Sequence, residues 1–482
     1  MHNYYRFIIP RMNGEEIETD FRRQLALVRK GIAGFIVFGG KLQQVRLHIK
    51  RLQEASGLPL IIASDLERGL GQQLKGGTSF PPAMALAKAT KGRGKGNTLS
   101  GTKQELLRDS FRALAEEARY AGINTIFAPV LDINTNPDNP IIGVRAFGED
   151  VGTVSFFGTE MIRVLQENGI AACGKHFPGH GDTDTDSHMR LPSSNHSLRS
   201  LCANELVPFR MAIVTGVQML MLGHLRVPAI EPSGIPVSLS PKAVSYLRNR
   251  LRFKNILITD AMNMGGLSAL REEEACLMAL RAGVDILLHP LHAGRVASYL
   301  ARQGYEGNST RLDRFRMGLL RFPDETRPDF VRHAGLSRTL IRSALTAPQR
   351  FRLRAAPLVV IISDEEGQQG QAFIRALKQG IPDCQIRRAG RGADVRKITD
   401  SAGPDAQVIA AVFSETRAWK GEAGEWFREM IGLIARQSDI TLSFGNPYLL
   451  REIPAGKKMS CYWNSESAQE EAAKVLLKQY RP

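Results

Sequence analysis

Three histidines, three aspartates and a lysine fall within the fourteen residues Lys175 to His188 (KHFPGHGDTDTDSH), directly after the apolar run Ile170-Ala171-Ala172-Cys173. Ionisable groups at the end of a buried run are costly to desolvate, so this density points to a place where something is bound or broken. His188 lies two residues after Asp186. On an extended or turning chain that spacing lets the carboxylate orient the imidazole, fix its tautomer and raise its basicity. A histidine so paired gives and takes a proton near neutral pH. His180, between two glycines, reads instead as a residue that organises the loop by hydrogen bonding. A further carboxylate, Asp260, ends the run Ile256-Leu257-Ile258-Thr259 and precedes Ala261-Met262-Asn263-Met264-Gly265-Gly266. Two roles fit it: a nucleophile or charge stabiliser in a polar cleft, or the N-cap of a following helix. His176 and His180 have HxxxH spacing, but Pro178 and Gly179 break the helix that would carry both on one face. With neither an HExxH nor a cysteine pair present, acid–base chemistry takes precedence over metal binding.

Such residues need a scaffold that brings strand ends together. From residue 1 to about 320 the chain repeats a short apolar run, a polar or Gly/Pro end and a helical stretch. The runs are Tyr5–Pro10, Gly34–Gly40, Pro59–Asp65, Thr125–Val130, Ile170–His176, Gln218–His224, Asn255–Asp260 and Asp285–Pro290. Continuous apolar strands alternating with helices predict a parallel sheet covered on both faces. Eight such units predict a (β/α)8 TIM barrel in preference to an open doubly wound sheet. The strand ends carry Asp65, Asp132, Lys175 with His176, His224 and Asp260, and in such barrels these ends share the face where active sites lie.

After a connector rich in Pro and Arg, with a short amphipathic helix at Phe330–Thr346, a second α/β series runs through Leu358–Ser363, Val408–Ser414, Ile440–Phe444 and Met459–Trp463. Too few strands remain for another barrel, so a smaller αβα sandwich is expected. The expected division is a barrel over 1–322, a connector over 323–354 and the sandwich over 355–482. The segment Lys88 to Lys103 (KATKGRGKGNTLSGTK) has almost nothing to bury and reads as a solvated, mobile loop.

Composition narrows the partners. The chain has 482 residues, 43% of them hydrophobic, and no run long enough to span a bilayer. Met1 to Arg11 holds only Phe7-Ile8-Ile9 before Pro10, which reads as a first strand rather than a leader, so a cytoplasmic protein is expected. Five widely spaced cysteines fit neither a disulfide framework nor a zinc motif and are expected to be buried thiols. The net charge of +16 is spread along the chain without a nucleic-acid motif, so no nucleic-acid partner is expected.

KHFPGHGDTDTDSH together with LITDAMNMGG (Leu257 to Gly266) resembles glycoside hydrolase family 3, on its β-N-acetylglucosaminidase branch. GFIVFGG (Gly34 to Gly40), SDLERGLGQQ (Ser64 to Gln73), VRAFGED (Val144 to Asp150) and AGVDILLHP (Ala282 to Pro290) extend the resemblance in the family's order. The second domain resembles the sandwich of two-domain members. The resemblance implies a retaining exo-β-N-acetylglucosaminidase in which Asp260 is the nucleophile and forms a covalent glycosyl-enzyme. It also implies His188, paired with Asp186, as the general acid/base in place of a second carboxylate. Asp65, Arg145, Lys175 and His176 would bind the terminal sugar, and no metal or organic cofactor would be needed. The implied substrate is an oligosaccharide or muropeptide released in peptidoglycan recycling. A family 3 phosphorylase or β-glucosidase, and a catalytically idle muropeptide-binding protein, are the alternatives. Arg68 stands where many branch members have glycine in a DQEGG segment, which alters the shape of that subsite.

Overall fold

The computed structural model describes residues 3–91, 101–183, 191–345, 348, 351–365, 369–400, 403, 406–415 and 424–480. Nine short parallel strands form the first sheet: β1 (Ile8–Ile9), β2 (Arg11–Asn13), β3 (Gly34–Phe38), β4 (Ile61–Ser64), β5 (Thr125–Ile126), β6 (Ala171–Phe177), β7 (Met219–Leu222), β8 (Ile256–Ala261) and β9 (Ile286–Leu288). Their order is β1-β9-β8-β7-β6-β5-β4-β3-β2. The two ends of that list are neighbours in the chain, separated only by Pro10. Proline has no N–H to donate, so the first strand divides there. Its first half pairs Ile9 with Leu288, and its second half pairs Arg11 with Ile36. One broken strand thus closes an eight-unit barrel, as expected from the repeat. Tyr5 to Phe7, expected to start this strand, lie instead in the short 3-10 helix Tyr4–Phe7.

Most of the strands are apolar up to their polar carboxyl ends because both faces are covered; every residue of β6 is buried. Helices such as Val151–Glu167 form the outer layer, here started by Asp150, whose side chain accepts from the Thr153 amide at 2.8 Å. Lys88 ends up in the helix Ala83–Thr90, and Gly101 to Lys103 open the helix Gly101–Ala121. The middle of the expected basic loop, 92–100, lies outside the described residues.

The second sheet is also parallel: β10 (Leu358–Ser363), β11 (Gln385–Ala389), β12 (Val408–Ser414), β13 (Ile440–Gly445) and β14 (Lys458–Ser460), in the order β11-β10-β12-β13-β14. One face buries Phe373, Phe413, Phe444 and Leu476, and the other buries Phe427, Ile431 and Ile434. Helices therefore cover both faces, and the domain is an αβα sandwich.

The helix Phe330–Ala344 joins the two parts. Its Leu340 belongs to the barrel core and its Ile341 to the sandwich core, so successive residues serve two different interiors. At the barrel mouth, Asp138 accepts from Arg428 at 2.8 Å and Arg451 at 3.1 Å, both from the sandwich. Asn134 donates to the Tyr448 hydroxyl at 3.0 Å, and the Arg68 guanidinium stands over Trp463 at 5.4 Å from the ring centre.

Candidate active site

Asp65 follows β4 and Lys175 lies within β6, two strands round the barrel, and both point to the same end. Lys175 Nζ donates to Asp65 Oδ1 at 2.7 Å and sits 2.7 Å from Glu67 Oε1. Glu67 in turn binds Arg145 twice, from Nε to Oε2 at 2.9 Å and from Nη2 to Oε1 at 2.7 Å. Arg145 also donates to the Ile141 carbonyl at 2.8 Å, which fixes the guanidinium plane. Burial alone would raise the Glu67 carboxyl, but Arg145 and Lys175 hold it well below the usual 4.5. Burial works against the Lys175 ammonium too, and Asp65 and Glu67 more than restore its charge. The cluster is a charged clamp whose donors and acceptors suit sugar hydroxyls.

Beside it, Asp132 is fully buried and organises the histidines of the loop. His176 Nδ1 meets Asp132 Oδ2 at 2.7 Å, and the His180 amide donates to Asp132 Oδ1 at 2.7 Å. Burial would raise the Asp132 carboxyl, but His176 and His180 bring it below its usual 3.8. With Nδ1 turned to the carboxylate, His176 keeps its Nε2 for a ligand. The peptide bond between Lys175 and His176 is cis. Gly181 is required where it stands, because a Cβ there would collide with the Ile133 carbonyl.

Asp260 lies in β8 and accepts from the Ala261 amide at 2.8 Å. It caps no helix: the next 3-10 turn, Gly265–Leu267, has Met264 at its N-cap, and the helix Glu272–Ala282 has Arg271. The cap reading is therefore excluded, and the carboxylate belongs to the cavity. His224, at the end of β7, secures this strand end. Its Nε2 donates to the Ala261 carbonyl at 3.0 Å, so Nδ1 accepts from Ser238 Oγ at 2.7 Å. His224 thus supports the strand that carries Asp260.

Asp65, Arg145, Lys175, His176 and Asp260 all line one cavity of about 490 Å³ at the carboxyl ends of the barrel strands. Glu415 and Gly445 from the sandwich complete its wall. Gly445 approaches Ser414 too closely for any Cβ, with φ at +125°. Asp186 and His188 lie outside the described residues. On the near side of that segment, Asp182 Oδ2 accepts from Ser194 Oγ and lies by His196 Nε2, each at 3.0 Å. No group of three or more His, Cys, Asp or Glu suited to a metal ion occurs among the described residues. Glu67 and Asp132 were absent from the expected ligand set; Glu67 sits two residues beyond Asp65, a carboxylate spacing that could have drawn it in.

Residues 16–312 match the Glycosyl hydrolase family 3 N terminal domain. The chain belongs to glycoside hydrolase family 3. It is 32% identical over 286 residues to β-hexosaminidase A of Pseudoalteromonas piscicida, covering 55% of this chain and 46% of that protein. It is 34% identical over 251 residues to the β-N-acetylglucosaminidase/β-glucosidase of Cellulomonas fimi, covering 50% of this chain and 42% of that one. The chain therefore spans less than half the length of either relative. A family 3 β-N-acetylglucosaminidase from Paenibacillus sp. FPU-7 has a similar structure, with a TM-score of 0.81 and 26% identity over 99% of this chain and 96% of that one.

Proposed function

We propose that the protein is a retaining exo-β-N-acetylglucosaminidase that removes terminal β-linked N-acetylglucosamine from peptidoglycan fragments. The observation that carries this reading is the convergence of Asp260 with the Asp65–Lys175–Glu67–Arg145 clamp in one cavity of sugar size. In this mechanism Asp65, Arg145, Lys175 and His176 hold the hydroxyls of the terminal sugar. Asp260 attacks the anomeric carbon while His188, oriented by Asp186, protonates the leaving oxygen. His188 then takes a proton from water, which hydrolyses the glycosyl-enzyme with overall retention. Contacts to the ring that strengthen as it flattens towards an oxocarbenium ion add to rate as well as affinity. The working division is a catalytic unit over 1–322, a connector over 323–354 and a sandwich over 355–482 that adds Glu415 and Gly445 to the cavity wall. All five cysteines are unpaired thiols, which suits work in the cytoplasm.

The test is release of p-nitrophenol from the β-glycosides of N-acetylglucosamine and glucose, with and without phosphate. Preferential, phosphate-independent release from the N-acetylglucosamine compound is expected. Dependence on phosphate would replace hydrolysis by phosphorolysis, and silence on both compounds would leave a binding protein.

A further inference from the structure

His180 was expected only to organise its loop, and one edge of its ring does so. Thr183 Oγ1 donates to the His180 carbonyl at 3.0 Å, which uses its single hydroxyl proton. The same oxygen lies 2.6 Å from His180 Nδ1, and with its proton on the carbonyl it accepts there, so we assign the hydrogen of that bond to Nδ1. Burial holds the imidazole below its usual 6.5, so near pH 7 the ring is neutral and Nε2 is a bare acceptor. That atom is buried and has no hydrogen-bond partner among the described residues. His180 is 1% exposed and is nevertheless part of the wall of the active-site cavity. An unpaired acceptor in a buried position is disfavoured unless a ligand supplies the donor.

The neighbours indicate which donor. The charged clamp of Asp65, Glu67, Lys175 and Arg145 already suits ring hydroxyls. On the His180 side, Asn139 donates to the His180 carbonyl at 2.8 Å while its Oδ1 holds the amides of Ile141 and Ile142. The loop thus tied to His180 places Ile141 and Val144 in the same cavity wall. An acceptor that shares a cavity wall with apolar side chains matches a secondary amide, with an N–H for the nitrogen and a methyl for the apolar wall.

We propose that His180 Nε2 accepts a hydrogen bond from the N–H of the 2-acetamido group and orients that group in the site. The proposal rests on the reading of the protein as an N-acetylglucosaminidase and assigns a substrate-binding role to His180.

The test compares His180→Asn with His180→Gln. Asparagine places its amide near Nδ1 and keeps the loop bond, whereas glutamine reaches as far as Nε2 and keeps the acceptor. Aryl β-glycosides of N-acetylglucosamine and of 2-deoxyglucose, which has no donor at C2, are the two substrates. His180→Asn is expected to lose about 10- to 100-fold in kcat/KM on the acetamido substrate and little on the 2-deoxy one, with His180→Gln largely rescued. Equal losses on both substrates, or full activity of His180→Asn, would overturn the proposal. A readout on the unmodified protein covers variants that fail to fold. The 15N resonance of His180 Nε2 should move on adding N-acetylglucosamine and stay still with 2-deoxyglucose, and no movement with the former overturns the assignment. Failure of the unmodified enzyme to cleave the acetamido glycoside would instead refute the function proposed above, a result separate from these.

Discussion

Glu67 holds Arg145 through two parallel bonds, at 2.9 Å and 2.7 Å, and the same carboxylate lies 2.7 Å from Lys175. One acidic residue therefore sets the positions of both cations proposed to hold the sugar. The Glu67 side chain is only 9% exposed and that of Lys175 3%, so removing the carboxylate leaves two cations close together with little water to screen them. Glu67→Gln should lower stability by about 3–5 kcal/mol, the usual penalty for breaking a buried ion pair. It should also reduce kcat/KM at least tenfold. Urea denaturation and steady-state kinetics check this, and a change below about 1 kcal/mol would show that Asp65 alone holds the clamp.

Asp260→Asn should leave the fold unchanged, since the amide oxygen can still accept from the Ala261 N–H. Turnover and covalent labelling by a fluorinated mechanism-based sugar should both disappear. Peptide mapping by mass spectrometry locates the label in the unmodified protein, and a label on another carboxylate would reassign the nucleophile.

His188→Ala should cripple turnover, and the defect should depend on the leaving group. Substrates with very acidic phenols need little protonation and should keep more of their glycosylation rate. An equal loss across a series of aryl glycosides would count against His188 as the acid.

Acid should weaken the fold in two stages. Burial lowers His48 and His289 to about 4, so they stay neutral in the fold while the unfolded chain takes up protons below about 6.5. The unfolded state then binds more protons, so stability falls as the pH drops from about 6.5 to about 4. Glu67 and Asp132 have depressed carboxyls whose stabilisation is complete above their unfolded values of 4.5 and 3.8 and is lost below them. Urea midpoints measured from pH 7.5 down to 3.5 should decline from about 6.5 and fall more steeply below about 4.5. A flat profile down to about pH 5 would contradict the histidine stage.

Trp463 reaches from the sandwich to Arg68 at the barrel mouth. Trp463→Ala should raise KM for a disaccharide or longer substrate several-fold while leaving small aryl glycosides nearly unaffected. Parallel changes for both would mean that the contact acts only on stability.

Most of the barrel strands were legible because they are buried on both faces and so appear as apolar runs; β2, Arg11–Asn13, with Arg11 exposed, does not. Strand β11, Gln385–Ala389, escaped notice for the opposite reason: it is an edge strand with Arg387 and Arg388 exposed, and its composition resembles a loop. The polar groups at the strand ends, from Asp65 to Asp260, could be read from residue type and position alone. Their partnerships could not, because Glu67 meets Arg145 across 78 positions and His176 meets Asp132 across 44. Local order in the chain thus determined the elements and the identities of the reactive groups, since hydrophobic periodicity and strand-end polarity are properties of neighbouring residues. Tertiary structure decided that Asp260 faces a cavity instead of capping a helix, that His180 presents an unpaired nitrogen, and that the sandwich walls the site. Those outcomes depend on which strand ends the closed barrel brings together, and only the folded chain sets those distances.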